Sequence, residues 1–242
     1  MAMCGDRVAI VTGAAGKGMG RSTALTLARE GAKVVVNYRS SAAAAAGIVE
    51  HIGSRGGEAV AVQADVFAQE GCRELFDATV RQFGRVDICV ISPGAGWHPQ
   101  GPSKLDVEAA LDDARSELAP LYYLMPLVLP GMYERHWGRI AGISLSPALD
   151  SPAYAYNVAK GARTWALSLL QRETRKHSVT ANVISPGPVD EIADLKTAVE
   201  LSDHGPAWQN RAAVSPQDIA EGIAFLCSDA GRFLAATELA YV

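Results

Sequence analysis

Apolar positions along the chain fall into two alternating kinds of segment. Short, nearly continuous apolar runs stand at residues 8–12, 34–36, 59–62, 88–91, 139–143, 180–184 and 239–242. Between them, apolar residues recur at helical spacing over about 20–30, 41–54, 73–83, 107–135, 153–177 and 216–228. A run with no polar alternation suits a strand buried on both faces. Strands alternating with helices imply a parallel sheet covered on both sides. The right-handed crossover rule then predicts an α/β fold with a doubly wound, Rossmann-type sheet of seven strands. Gly31 stands where the first helix should stop, and Ser40 or Ser41 where the second should start. Pro120, Pro126 and Pro130 are expected break points in the long helical stretch. Residues 186–214 read as a loop carrying a small helix. No repeat, linker or low-complexity tail divides the sequence, so residues 1–242 are expected to form one domain.

Composition narrows the function classes. Apolar residues make up 49% and charged residues 20% of the 242 positions, as in an ordinary globular chain. A net charge of −4 offers no electrostatic footprint for nucleic acid. No run is long enough to span a membrane, and the first residues have neither a signal-peptide nor a transit-peptide pattern. Cys4, Cys72, Cys89 and Cys227 are far apart and form no C-x-x-C pair. That spacing argues against a disulfide framework and a zinc site and points to a reducing, cytoplasmic setting. No H-x-x-x-H pair occurs, so no metal is expected.

The turn after the first strand carries the first candidate chemistry. It reads Thr12-Gly13-Ala14-Ala15-Gly16-Lys17-Gly18-Met19-Gly20. Glycines there let the backbone approach a pyrophosphate, which the following helix N-terminus stabilises. The general G-x-G-x-x-G pattern is absent, and a turn without ligand is the competing reading. The second strand runs into Asn37-Tyr38-Arg39-Ser40, with no acid between Glu30 and Glu50. NAD-binding folds place an acid there for the ribose 2′-hydroxyl. Arg39 and Lys17 could instead pair with a 2′-phosphate, so NADP(H) is favoured over NAD(H).

From these segments on, the chain resembles the short-chain dehydrogenase/reductases, most closely their 3-oxoacyl-carrier-protein-reductase-like branch. The resemblance covers nearly the whole chain. It continues through Ala64-Asp65-Val66, Gly138-Arg139-Ile140, Tyr156-Asn157-Val158-Ala159-Lys160 and Ser185-Pro186-Gly187-Pro188-Val189. It implies a cofactor site built from Gly13, Lys17, Gly18, Met19, Gly20, Asn37, Arg39, Ser40, Asp65, Val66, Ser92, Gly94, Pro186, Gly187 and Val189, together with Tyr156 and Lys160. Within it, Asp65 would bind the adenine amino group, Val66 would line the adenine pocket, and the Val189 backbone would hold the nicotinamide amide. The tyrosine–lysine pair also makes chemical sense by itself. Residues at i and i+4 share a helix face. A nearby ammonium favours the phenolate, which lets a tyrosine act as acid or base near neutral pH.

The reacting end departs from the family pattern. Ile91-Ser92-Pro93-Gly94 replaces the usual Asn-Asn-Ala-Gly, Glu117 aligns with the usual helix asparagine, and Leu145 aligns with the serine that orients the substrate carbonyl. Glu191 aligns with a usual threonine, the glycine turn is one residue longer, and no glycine pair precedes Val242. Ser144 or Ser146 could replace the missing serine. Strand alternation aims both alike, and Ser144 is favoured as the third catalytic residue. Glu117 reads equally as a relay acid and as a structural carboxylate. The resemblance thus implies an NADP(H)-dependent oxidoreductase interconverting a ketone and a secondary alcohol. The alternative is a cofactor-binding homologue with impaired catalysis and a regulatory or structural role.

The substrate loop is expected at about 188–214, with Trp97, His98, Tyr154 and Trp208 as candidate contacts. The partner is expected to be a small carbonyl or alcohol. The two long helices would join copies into a homo-tetramer or homo-dimer, with Ala162, Ala166 and Leu169 suited to the contact.

Overall fold

A computed structural model describes residues 2–145, 152–205 and 214–241. Ser146, Trp208 and Arg211 lie outside the described residues. The chain alternates β1 (Val8–Val11), α1 (Met19–Arg29), β2 (Lys33–Tyr38), α2 (Ala42–Ser54), β3 (Ala59–Gln63), α3 (Gln69–Phe83) and β4 (Ile88–Ile91). It continues through α4 (Val107–Glu134), β5 (Gly138–Ile143), α5 (Tyr154–Thr174), β6 (Val179–Pro186), α6 (Leu195–His204), α7 (Pro216–Cys227) and β7 (Glu238–Tyr241).

All seven strands pair in parallel, in the order β3-β2-β1-β4-β5-β6-β7. The doubly wound, seven-stranded sheet expected from the apolar runs is therefore the observed one. The runs lack polar alternation because both faces are buried. Ala9 and Val11 of β1 pack with Val34 and Val36 of β2 into one layer, together with Leu27 of α1, Ile48 of α2 and Ile223 of α7. Ile10 and Val35, pointing the other way, join Leu75 of α3, Leu124 of α4 and Leu167 of α5 in the opposite layer. Alternate residues of each strand thus feed two helix layers.

Three elements differ from their sequence outline. α4 is one unbroken helix that contains Pro120, Pro126 and Pro130. Its buried stripe, including Leu121, Leu124, Val128 and Met132, is held against the sheet, and this packing outweighs the lost intrahelical bonds. α3 starts at Gln69, earlier than expected, because its first turn (Gln-Glu-Gly) carries no apolar periodicity to announce it. α5 closes at Thr174 in a short 3-10 turn, and Ser178 then takes a left-handed conformation with φ of 58°.

The topology also fixes where a ligand can sit. From β1 the chain moves to β2 and β3 on one side, then returns to β4, β5, β6 and β7 on the other. A crevice opens where that order reverses, at the carboxyl ends of β1 and β4. The glycine turn follows β1, and the Pro93-Gly94 segment follows β4.

Candidate active site

Asn37 ties the glycine turn to the sheet. Its Oδ1 accepts a hydrogen bond from the Gly13 N–H at 3.1 Å, and its Nδ2 donates to the Ala64 carbonyl at 3.1 Å. Thr12 Oγ1 donates to the Val90 carbonyl and accepts from the Ser92 N–H, each at 3.0 Å, which fastens the same turn to β4. A side chain at Gly20 would put its Cβ 2.6 Å from the Gly13 carbonyl, so only glycine lets α1 start this close to the turn. No side chain caps α1, and its first turn carries no acid. Its leading N–H groups therefore suit an anionic ligand.

A cavity of about 210 Å³ opens beside this turn. Gly13, Asn37, Arg39, Ser40, Asp65 and Val66, all expected cofactor residues, line it. Arg39 and Asp65 are exposed there, and the Arg39 guanidinium lies 5.9 Å from the Phe67 ring centre. The buried Val66 offers an apolar wall. An uncapped helix start, an apolar wall and a free-standing cation together fit an adenosine with phosphates. Not every expected residue faces the cavity. The Asn37 amide is buried and spent on the backbone, so it shapes the turn and does not offer a polar group to a ligand. Lys17 is not among the lining residues, and its carbonyl accepts from the Ile192 N–H at 3.0 Å. Gly18 is the N-cap of α1, and Met19 and Gly20 are the first residues of that helix. Across the crevice, Pro186 ends β6, and the Gly187 N–H donates to the Tyr241 carbonyl at 2.7 Å. Val189 forms an isolated parallel bridge with Val214 through the peptide groups of Pro188 and Asp190. The N–H and C=O of Val189 itself play no part in that bridge, and so point away from Val214.

The reacting end is organised around a buried ion network. Tyr156 and Lys160 sit one turn apart on α5, with the Lys160 ammonium 5.5 Å from the Tyr156 ring centre. Glu117, fully buried on α4, places Oε1 3.0 Å from Lys160 Nζ and Oε2 2.8 Å from Arg163 Nε. The Ala95 N–H also donates to Glu117 Oε1, at 2.7 Å. Gly94 is required beside it, because a Cβ there would meet Glu117 Oε1 at 2.1 Å. The Arg163 guanidinium donates to three carbonyls: Glu117 at 3.0 Å, Ile143 at 2.9 Å and Pro93 at 2.5 Å. The segment after β4 folds over Tyr156. Trp97 meets the Tyr156 ring edge-on at 5.3 Å, and His98 Nε2 lies 2.9 Å from the buried Asp113 carboxylate.

This arrangement bears on two expectations. Ser144 is buried, donates its hydroxyl proton to the Lys160 carbonyl at 2.9 Å and accepts from Thr164 at 2.7 Å. Its proton is committed to α5 in this arrangement. Leu145, half-buried, occupies the end of β5 next to it. The second concerns the phenol. Burial pushes the Tyr156 pKa up, the Glu117 and Asp113 carboxylates push it further, and only Arg163 opposes them. Burial also lowers the Lys160 pKa, against the pull of Glu117. Without a bound cofactor, the phenol is therefore held protonated.

Arg163 and Asp113 escaped the sequence reading. Both stand on amphipathic helices, where a charge ordinarily marks the solvated face. Asp113 had one signal, its i, i+4 spacing to Glu117, which puts two carboxylates on one helix face; Arg163 had none.

Comparison with known proteins agrees with this architecture. Residues 13–241 match the family model described as enoyl-(acyl carrier protein) reductase. An uncharacterised oxidoreductase of Methylorubrum extorquens is 34% identical over 240 residues, covering 94% of this chain and 93% of that protein. A 3-oxoacyl-[acyl-carrier-protein] reductase of Staphylococcus epidermidis is 32% identical over 235 residues, covering 95% of this chain and 94% of that one. Among solved structures, a 7α-hydroxysteroid dehydrogenase complexed with NADH and 7-oxo glycochenodeoxycholic acid superimposes with a TM-score of 0.84 at 26% identity. The match covers 99% of this chain and 94% of that one.

Proposed function

The chain belongs to the short-chain dehydrogenase/reductases, and from that premise we propose that it is an NADP(H)-dependent oxidoreductase interconverting a ketone and a secondary alcohol. The observation that carries this reading is the pairing of Tyr156 and Lys160 on one face of α5, which Arg163 of the same helix ties to Pro93 in the lining of the cavity beside the glycine turn. The relatives point the same way. One is named for reducing a 3-oxoacyl group, and another was solved with a 7-oxo steroid, so a ketone is the shared feature.

A bound nicotinamide dinucleotide supplies or accepts a hydride. Tyr156 Oη gives its proton to the carbonyl oxygen in reduction and takes it from the alcohol in oxidation. The raised pKa of the phenol suits the acid role in reduction. Arg39 supports the NADP(H) preference as the exposed cation lining the adenosine-side cavity, with no acid between Glu30 and Glu50 to claim a 2′-hydroxyl. Asp65 and Val66 would flank the adenine, and the outward-facing N–H and C=O of Val189 would hold the nicotinamide amide. Lys160 would hold the nicotinamide ribose. Ser92, Gly94, Pro186 and Gly187 would shape the walls around it. The substrate would enter under the loop at about 188–214, with Trp97, His98 and Tyr154 at the rim, in a single domain spanning residues 1–242.

Two further assignments belong to this reading. Tyr122, Trp165 and Leu169 are exposed on α4 and α5, at 59%, 67% and 56%, which suits a homo-dimer or homo-tetramer joined along these helices. Cys4, Cys72, Cys89 and Cys227 are all free and buried, which suits a reducing cytoplasm. No helix among the described residues is long and apolar enough to cross a membrane.

The test is a titration of NADPH and NADH followed by a panel of cyclic, aryl and 3-oxoacyl ketones. Expected are tighter NADPH binding and turnover that Tyr156→Phe abolishes. A second reading is favoured by Leu145, which puts an apolar side chain where a carbonyl donor is expected: a cofactor-binding homologue with little catalysis. Binding without turnover across the panel, unchanged in Leu145→Ser, would establish that reading instead.

A further inference from the structure

Three ionisable side chains, Glu117, Lys160 and Arg163, meet beside Tyr156, and the sum of their charges decides what it experiences. Lys160 alone would present one positive charge to the phenol. Adding Glu117 alone would cancel it and leave a buried neutral pair. Arg163 restores the balance, so the trio carries one net positive charge. We propose that Glu117 and Arg163 act as one interdependent positioning unit, in which Arg163 aims the Glu117 carboxylate so that it holds the Lys160 ammonium while the site keeps a single net positive charge facing Tyr156. This rests on the reading of Tyr156 and Lys160 as the reacting pair.

The geometry gives the unit its direction of action. Arg163 is fixed first, by backbone carbonyls from three places: Pro93 after β4, Ile143 at the end of β5 and Glu117 on α4. These contacts leave the guanidinium little freedom, and Glu117 Oε2, which accepts no hydrogen bond among the described residues, faces it as an ion pair at 2.8 Å. Oε1 is thereby presented to Lys160 Nζ at 3.0 Å and to the Ala95 N–H at 2.7 Å. Arg163 and Glu117 are fully buried and Lys160 is 6% exposed, so water cannot substitute for a missing partner. Removing one member of this pair strands the other charge, whereas removing both takes away one charge of each sign and leaves Lys160 as the single cation.

The signs follow from which charges face Tyr156. Those groups, among the described residues, are Asp113 and Glu117 from α4 and Lys160 and Arg163 from α5. His98, in the segment after β4, faces Asp113. Glu117 disfavours the phenolate and Arg163 favours it. Glu117→Gln removes a negative charge and leaves two adjacent cations, so the phenol ionises more readily. Arg163→Met leaves Glu117 to neutralise Lys160, so it ionises less readily.

The experiment measures the pH dependence of ketone reduction, kcat/KM, in the full chain with its cofactor. Reduction needs the phenol protonated, so activity falls above the Tyr156 pKa. Glu117→Gln should move that falling limb to lower pH by about one unit, and Arg163→Met should move it to higher pH by about one unit. The double variant Glu117→Gln/Arg163→Met should return the limb to within roughly 0.3 unit of the parent, since both charges leave together. Arg163→Lys keeps the cation while losing the three-carbonyl grip. It should therefore move the limb in the direction of Arg163→Met but by less, because the charge stays while the aim of Glu117 is lost, and it covers the case in which Arg163→Met fails to fold. Titration of ¹³C-labelled tyrosine by NMR in the same variants reads Tyr156 without turnover. If no ketone is turned over but Tyr156 titrates with these opposite shifts, the enzyme reading fails and the charge unit stands. Limbs and titrations that stay put in both single variants, or a double variant shifted further than either, would overturn the proposal.

Discussion

The side-chain oxygen of Asn37 sits 3.1 Å from the backbone nitrogen of Gly13, joining the end of β2 to the turn that follows β1. The same amide donates to the Ala64 carbonyl, so one buried side chain holds the ends of three strands in register. Asn37→Ala strands the Gly13 N–H and the Ala64 C=O away from water. Equilibrium urea unfolding should show a loss of about 2–4 kcal/mol. Asn37→Asp keeps the acceptor but turns a carboxylate toward the Val62 and Ala64 carbonyls. It should be destabilised at least as much at neutral pH and recover partly in acid, where the carboxyl regains a proton.

In the proposed reading Arg39, which lines the cavity beside the glycine turn, would read a 2′-phosphate. Arg39→Ala should weaken NADPH binding about 10–100-fold, the worth of a charge-assisted contact, and change NADH binding by less than about threefold. Fluorescence titration of both nucleotides checks this. Equal weakening of the two would remove Arg39 from cofactor discrimination.

The commitment of Ser144 to α5 makes a prediction that separates it from a carbonyl donor. Ser144→Ala should cost about 1 kcal/mol of stability, the worth of a buried hydrogen bond. Its kcat/KM should fall by less than about tenfold, whereas loss of an oxyanion donor typically costs about 10²–10³. A drop in the larger range would return Ser144 to the reacting centre.

Gly94→Ala forces a methyl group into the Glu117 carboxylate. Either the carboxylate or the segment after β4 must move, and the Ala95 N–H loses its acceptor. Thermal unfolding should show a loss of about 1–3 kcal/mol or more, with catalysis falling more than cofactor affinity. An unaltered melting temperature would mean that Glu117 has room to yield.

Burial pushes the thiols of Cys4, Cys72 and Cys89 up to about 12. In the unfolded chain a thiol ionises near 8.5. The folded state holds these protons more tightly, so their contribution to stability is intact below about pH 8.5 and erodes as pH rises toward 12. Thiol reagents at pH 8 should modify the native protein slowly and the urea-unfolded protein at once. Rapid modification of the native protein would show that these cysteines are reached by local opening.

Sequence pattern carried the fold further than it carried the site. The two-sided burial of Ile10, Val35 and Cys89 produces uninterrupted apolar runs, which made the parallel sheet legible. Tyr156 and Lys160 were legible because helical spacing alone puts them together. The hydrogen bonds of Ser144 were not legible, because alternation tells which face a side chain takes, not what it meets there. Here it meets the Lys160 carbonyl. Arg163 was invisible for a related reason. Its partners are the carbonyls of Pro93, Ile143 and Glu117, which come together only when β4, β5 and α4 converge, and no spacing within α5 reports that. The prolines of α4 misled in the opposite direction, because local propensity gave way to the packing of a long buried stripe.

The Arg163 guanidinium rivets two strand ends and two helices at one point. Any change that relaxes the chemistry there also loosens the scaffold. Adaptation to new substrates should therefore come from side chains that take no part in this joint, such as the exposed Tyr154, rather than from Trp97 or His98, which lean on Tyr156 and Asp113.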